Sequence, residues 1–90
     1  MDRATFEAGL ARDGYAASEG SQPANHANPM HAHDFDARVM VLDGDITIEF
    51  PTGPVHYKAG DHCDVPAGTR HAERVGPNGV RFLAGRRSPA

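Results

Sequence analysis

Residues 60–71, GDHCDVPAGTRH, predict two β-strands separated by a turn. His62–Val65 is a short strand candidate, Pro66-Ala67-Gly68 is a turn signal, and the next strand candidate starts at Arg70. From Tyr15 onward, turn residues recur about every 8 to 12 positions, which is typical of a sandwich or a barrel. Ten glycines and seven prolines among 90 residues are too many for a helical bundle. The sequence therefore predicts an all-β fold.

One short α-helix is predicted ahead of the strands, from Thr5 to Asp13. Asp2 or Thr5 can cap its start, and Gly14 lies where a helix ends. We therefore expect an N-terminal helix within residues 1–14, packed on a barrel formed by residues 15–90. The predicted strands of that barrel are Tyr15–Glu19, Gln22–His26, Met30–His33, Ala37–Leu42, Asp45–Phe50, Val55–Lys58, His62–Val65, Arg70–Val75 and Val80–Ala84.

The clearest hairpin signal is Asp43-Gly44, which lies between two apolar runs. After it, Ile46, Ile48 and Phe50 alternate with polar residues, so one face of that strand is expected to be buried. The preceding run, Val39 to Leu42, does not alternate, and both of its faces need cover. The outer face must be covered by the predicted helix or by another subunit, and we expect a homodimer in which Leu42→Lys favours the monomer.

Charge and composition exclude several classes of partner. Nine basic against twelve acidic residues give a net charge of -3, and no basic patch for nucleic acid is visible. No apolar run is long enough for a membrane span or a signal peptide. The single cysteine, Cys63, permits no internal disulfide, so a reducing, cytoplasmic location is expected. Cys63 shares a strand face with Val65, which predicts burial as a small apolar group.

Six histidines in so short a chain point towards a metal ion. His31 and His33 are two residues apart, so on a strand both imidazoles lie on one face. His71 begins a later strand candidate, and only the fold can bring it to the pair. Three imidazoles with open positions suit a catalytic Zn²⁺ or a non-haem Fe²⁺. A His-x-His pair taken alone is equally compatible with an exposed strand face that binds no metal.

The spacing around these histidines resembles the two motifs of the cupin family. His31-Ala32-His33 followed by Gly44 is similar to the first motif, and Gly60, Pro66-Ala67-Gly68 and His71 match the second almost position for position. The resemblance covers residues 31–75. It implies a double-stranded β-helix, a jelly-roll-like barrel whose interior holds one divalent metal ion through His31, His33 and His71.

The chain departs from the family pattern at three positions. The carboxylate ligand of the first motif falls on Ala37, the glycine expected before the histidine pair is Asn25, and the asparagine that often ends the second motif is Val75. The three histidines that remain are similar in ligand set to the thiol dioxygenase branch of cupins. The identity of the metal stays open among Fe, Zn, Ni and Mn.

Glu73 is the candidate catalytic residue. It shares strand parity with His71, so it can point into the barrel and act as a replacement ligand or as a general base. The alternative is a carboxylate at the rim of the barrel that pairs with Arg74 or Arg38.

Other polar residues are weaker candidates. Asp34 and Asp36 follow the histidine pair and can bend back to the metal, although solvated turn positions suit them better. His26 is a candidate substrate contact. His56 and His62 are expected to be surface or packing residues.

Two functions remain open on these observations. The first is an enzyme that transforms a small polar molecule, with oxygenation at Fe²⁺ as the preferred reaction and Glu73 moving a proton. The second is a non-catalytic module that binds or senses a small molecule, because one cupin scaffold serves many functions. The sequence assigns no arginine to the interior that could anchor a substrate.

Overall fold

The computed structural model describes residues 1–89, and within them it contains one helix and six strands. The predicted all-β fold with a short N-terminal helix is confirmed. The elements are α1 (Arg3–Arg12), β1 (Ala16–Gln22), β2 (Ala27–His31), β3 (Asp36–Phe50), β4 (Gly53–Lys58), β5 (His62–Val65) and β6 (His71–Arg87).

Two long antiparallel strands, β3 and β6, organise the barrel. The first half of β3 pairs with β5 and with the second half of β6, which in turn pairs with β1. The second half of β3 pairs with β4 and with the first half of β6, which pairs with β2. Two four-stranded faces, β5-β3-β6-β1 and β4-β3-β6-β2, therefore share their central strands and enclose a jelly-roll-like interior.

The predicted hairpin at Asp43-Gly44 is wrong. β3 runs through this dipeptide as one strand, and its register against β6 shifts on either side of Gly44. Gly44 has φ 74°, and a Cβ there would overlap the carbonyl oxygen of Gly79. The bulge exchanges the two faces of β3, so that Val41 before it and Ile46 after it both face the interior.

Four other predicted strands differ from the structure. Arg70–Val75 and Val80–Ala84 belong to the single strand β6. Gln22–His26 is not a strand after its first residue, because the chain turns at Pro23 to Asn25 and Asn25 has φ 63°. The strand predicted at Met30–His33 ends at His31.

α1 covers the outer face of β3. Asp2 caps the helix by accepting a hydrogen bond from the Thr5 amide at 2.8 Å. Phe6 and Leu10 are buried against Met40 and Leu83, which point away from the barrel interior. Met40 is only 4% exposed, so this part of the face predicted to need a second subunit is covered by the chain's own helix. No helix within residues 1–89 has the length and apolar character needed to cross a membrane.

Candidate metal centre

Two chain crossings at one end of the barrel position the histidines. The segment after β2 and the turn after β5 both pass from one face of the barrel to the other. The Gly68 amide donates a hydrogen bond to the His33 carbonyl at 2.9 Å, and the Ala67 amide donates to Asp36 Oδ1 at 2.9 Å. The Pro-Ala-Gly turn is therefore fixed to the segment that carries His33. This contact brings His71 to the histidine pair.

His31, His33 and His71 converge inside the barrel, as the sequence predicted. Their ring centroids are 4.3 to 5.2 Å apart, and one ring nitrogen from each lies within 4.8 Å of the other two. His71 is 3% exposed, and the other two are half-buried. His31 is directly opposite His71 in the β2–β6 register. His33 lies beyond the end of β2, so the turn contact and not strand parity sets its position.

Backbone carbonyls fix the tautomer of two of these histidines. His31 Nδ1 lies 2.7 Å from the Pro29 carbonyl oxygen, and His71 Nδ1 lies 2.9 Å from the Thr69 carbonyl oxygen. A carbonyl oxygen only accepts, so both Nδ1 atoms must be protonated. In the neutral ring this leaves the Nε2 lone pair free, which is the arrangement found at histidines that bind metal.

His33 completes a donor set that fits a divalent cation. Burial lowers the pKa of His33 below its ordinary value, and the neighbouring His31 and His71 lower it further. His33 is therefore neutral at pH 7 and keeps a lone pair for a metal ion. Three imidazole donors that face a cavity match the chemistry of Zn²⁺ or a non-haem metal with open positions.

Glu73 faces the same cavity. Its Oε1 lies 4.0 Å from His31 Nε2 and accepts a hydrogen bond from Asn28 Nδ2 at 2.9 Å. The side chain is 23% exposed. Of the two orientations that the sequence left open, Glu73 has the inward one, and Asn28 holds the carboxylate beside the histidines.

The alternative partners of Glu73 are engaged elsewhere. Arg74 lies 3.6 Å from a carboxylate oxygen of Glu49 on the outside of the barrel. Arg38 binds Asp13 at 2.7 Å and Asp64 at 2.8 Å. Pairing of Glu73 with either arginine is therefore wrong.

The two acidic residues after the histidine pair do not bend towards it. Asp36 accepts the Ala67 amide and lies 3.4 Å from Arg87, so its carboxylate has a structural role in the turn contact. Asp34 is exposed, in agreement with a solvated turn position.

The remaining histidines are outside the cavity. His26 is exposed, and its Nε2 lies 3.0 Å from Asn28 Oδ1, so the predicted substrate contact by His26 is not formed by its ring. His56 is exposed and lies 2.6 Å from Asp45. His62 is exposed on β5. The surface positions predicted for His56 and His62 are confirmed.

The cavity in front of the histidines has a volume of about 450 Å³, which is in the range of small-molecule sites. The cavity is lined by the three histidines, by Glu73 and by the polar residues Gln22, Asn28 and Arg86. The methyl group of Ala37 lines it as well. Its apolar wall is formed by Val39, Val41, Ile46, Ile48, Val65, Val80, Phe82 and Ala84.

Arg86 is the residue of this cavity that the sequence interpretation missed. It lines the cavity mouth, in contrast to the expectation of no interior arginine. Strand parity could have found it, because Val80, Phe82, Ala84 and Arg86 are spaced by two on β6.

Cys63 is an inert part of the barrel. It is opposite Val39 in the β3–β5 register, on the same face as Val65. Burial raises the pKa of the Cys63 thiol to about 11. The predicted role as a small apolar group is confirmed, because a thiol with so high a pKa is a poor nucleophile.

Comparisons with known proteins identify the fold. No family model and no curated protein matches the sequence. The cupin domain of Cnp3 from Schizosaccharomyces pombe matches with a TM-score of 0.74 at 20% identity, over 82% of this chain and 52% of that chain. The DMSP lyase DddQ from Ruegeria pomeroyi matches with a TM-score of 0.74 at 27% identity, over 82% of this chain and 38% of that chain. The polyketide cyclase RemF from Streptomyces resistomycificus matches with a TM-score of 0.69 at 24% identity, over 80% and 54% of the two chains.

These matches describe the barrel and not a shared activity. The chain spans about half the length of the Cnp3 structure and a smaller part of DddQ. The structures that the chain matches include several cupin-domain proteins. The protein therefore has the fold of a small cupin domain.

Proposed function

We propose that the protein binds one divalent metal ion through Nε2 of His31, His33 and His71 and acts on a small molecule in the adjoining cavity. The convergence of three imidazoles on one point carries this proposal. Two carbonyl oxygens accept from the Nδ1 atoms of His31 and His71, and one ring nitrogen of each of the three histidines lies within 4.8 Å of the other two. A bound metal ion supplies a Lewis acid and, if it is iron, a site for dioxygen.

Glu73 is the proposed proton carrier of the site. Its carboxylate is close to His31 and is oriented by the Asn28 amide, and it faces a cavity with a largely apolar wall. A carboxylate held in this way can accept a proton from a substrate and return it at a neighbouring atom. It can also serve as an anionic ligand in place of the one lost at Ala37.

The reaction class is part of the proposal. Oxygenation by a three-histidine iron site is our first candidate, because the ligand set leaves several positions open. Two of the matched cupin structures are a lyase and a cyclase, which supports catalysis in a cavity of this kind without selecting the reaction.

A non-catalytic binding module is the second candidate. It is favoured by Ala37, since loss of a charged ligand weakens the hold on a metal ion. Residues such as Gln22 and Asn28 can bind a polar ligand with or without a metal.

Metal analysis tests the binding proposal. The untagged protein, purified without chelator, is expected to retain a stoichiometric divalent metal, and the stripped protein to bind Zn²⁺, Fe²⁺, Ni²⁺ or Mn²⁺ in a chelator competition. His71→Ala is expected to lose at least about tenfold in affinity. His56→Ala is the matched control, because this histidine is exposed, lies against Asp45 and is outside the cavity. Equal affinity in wild type and His71→Ala would exclude the proposed ligand set.

Activity measurements separate the two candidate functions. Substrate-dependent oxygen uptake by the iron-loaded protein with thiols or diketones supports the oxygenase. Glu73→Gln is expected to lower the rate about 10²-fold while metal content is kept, if Glu73 moves a proton. Loss of the metal in the same variant would show instead that Glu73 is a ligand.

A further inference from the structure

Arg86 lies at the mouth of the cavity as a cation without a carboxylate partner. Within residues 1–89, six arginines have a carboxylate oxygen within 4.0 Å, and Arg86 is not among them. Its guanidinium carbon instead lies 4.8 Å from the ring centre of Phe35. The Phe35 ring in turn stacks on His33, at 4.6 Å between ring centres and 22° between planes. A stack of aromatic rings therefore links Arg86 to the histidine centre.

The residue opposite Arg86 leaves this cation accessible. Ala37 is the register partner of Arg86 across the β3–β6 ladder, and both residues line the cavity. Side chains at directly opposed positions have Cβ atoms about 4.5 to 5.5 Å apart, so an acidic residue at position 37 would pair with Arg86. Alanine leaves that space open, and no carboxylate of residues 1–89 lies within 4.0 Å of the Arg86 guanidinium.

Glu73, the carboxylate that lines the cavity, does not pair with Arg86. Glu73 is held by Asn28 near His31 and is not within 4.0 Å of Arg86. The cavity therefore has a carboxylate near the histidines and a guanidinium at the mouth. Mostly aliphatic side chains lie between them.

We propose that Arg86 binds a carboxylate of the ligand, and that the protein takes small organic acids with an aliphatic body. A planar guanidinium forms two parallel hydrogen bonds with a carboxylate, and its stacking on Phe35 fixes the plane of the fork. The apolar wall accepts the aliphatic body. A phosphate is a poorer match, because the described lining supplies one arginine and no other cationic side chain besides the histidines. The assignment rests on the proposed function only in treating this cavity as the ligand site.

Titration calorimetry with matched probes tests the assignment. Isocaproate, isocaproamide and isoamyl phosphate have similar apolar bodies and differ in their polar group. In metal-free protein with EDTA, isocaproate is expected to bind about ten- to hundredfold tighter than the amide. Arg86→Gln is expected to abolish this preference. Arg74→Gln is the matched control and is expected to keep it, since Arg74 lies outside the barrel against Glu49.

Each outcome bears on one claim. The carboxylate assignment would be overturned if isocaproate and isocaproamide bound equally, or if the preference for isocaproate survived in Arg86→Gln. It would also be overturned if isoamyl phosphate bound more tightly than isocaproate, or if no probe bound. Zn²⁺ affinity is measured separately in wild type and in Arg86→Gln, where it is expected to be within about threefold. A wild type that binds isocaproate but no Zn²⁺ would remove the metal proposal and leave Arg86 as the carboxylate anchor.

Discussion

His33 shows how burial sets the state of a single residue in this site. Its backbone carbonyl accepts the Gly68 amide, while its ring stacks on Phe35 and faces two further imidazoles. Removal from water and the proximity of other ionisable rings disfavour its protonated form, which lowers its pKa. The same environment that keeps the lone pair free also makes protonation of His33 unfavourable for the fold.

The stability of the metal-free protein is expected to fall on mild acidification because of His33. As pH falls below about 6.5, the unfolded chain binds this proton before the folded chain does. The contribution of His33 to the free energy of unfolding therefore decreases from that pH down to its lowered pKa, and it is constant below it. His33→Gln is expected to reduce the slope of stability against pH in this window. Urea unfolding in EDTA at several pH values measures it, and identical slopes in both proteins would contradict the prediction.

Ala37 is the position at which the metal site can be strengthened. In the Arg86→Gln background, where a carboxylate at position 37 has no arginine opposite it, Ala37→Glu is expected to tighten Zn²⁺ binding, because an anionic oxygen in the same cavity attracts a divalent ion. Ala37→Gln has the same size without the charge and is the control. Chelator competition compares the two variants, and an affinity for Ala37→Glu no higher than that for Ala37→Gln would show the prediction to be wrong.

At the scale of elements, the bulge in β3 determines which residues reach the interior. Without it, strand parity would continue and Ile46 and Ile48 would face outward. Gly44 allows the bulge in two ways, because it has a positive φ and lies against the backbone of β6 at Gly79. Most other residue types at position 44 would be strained by the positive φ and would clash with the Gly79 backbone.

Gly44→Ala is expected to destabilise the fold more than Gly14→Ala. Both glycines have positive φ, at 74° and 80°, so both substitutions cost about 1 to 2 kcal/mol in backbone strain. A Cβ at Gly14 meets nothing within 4 Å, whereas a Cβ at Gly44 overlaps the Gly79 carbonyl. We expect an additional loss of about 1 to 3 kcal/mol in Gly44→Ala. Urea denaturation gives both values, and equal losses would show that β6 can move away freely.

At the scale of the whole molecule, the accessible surface of the single chain is that of a compactly folded domain. It is 5166 Å², close to the roughly 5,100 Å² expected for a monomer of this mass. α1 already covers Met40, and Leu42 packs against the same cluster. Prolines interrupt the edge strands β2 and β4, and the edge strand β5 has only four residues, so the seven-residue edge strand β1 is the remaining basis for a dimer.

We therefore keep the homodimer as a prediction but move its interface to β1. Light scattering at micromolar concentration is expected to give twice 9.6 kDa. Leu42→Lys is now expected to lower thermal stability without changing this mass, since Leu42 contacts the cluster under α1. A wild-type mass of 9.6 kDa would contradict the dimer, and a monomeric Leu42→Lys variant would return the interface to the outer face of β3.

Much of the site could be predicted because local patterns encode it. The two cupin motifs were recognised from the two-residue spacing of His31 and His33 and from the turn before His71. The shared strand parity of Glu73 and His71 indicated that the Glu73 side chain can point into the barrel. Arg86 shares strand parity with Val80, Phe82 and Ala84, but its relation to His71 and Glu73 could not be predicted, because the register through Gly76 to Gly79 could not be known. β6 has additional residues there opposite Asp45, which change its parity.

The sequence by itself determined the all-β class, the short N-terminal helix and the three histidines, because turn residues, strand alternation and motif spacing are local properties of the chain. Only the tertiary structure decided that Asp43-Gly44 is a bulge and not a hairpin, since a positive φ suits both and the approach of Gly79 selects between them. The same holds for Arg86 beside Ala37. Two residues almost fifty positions apart become neighbours only when the ladder between β3 and β6 forms, and that ladder depends on packing across the whole barrel.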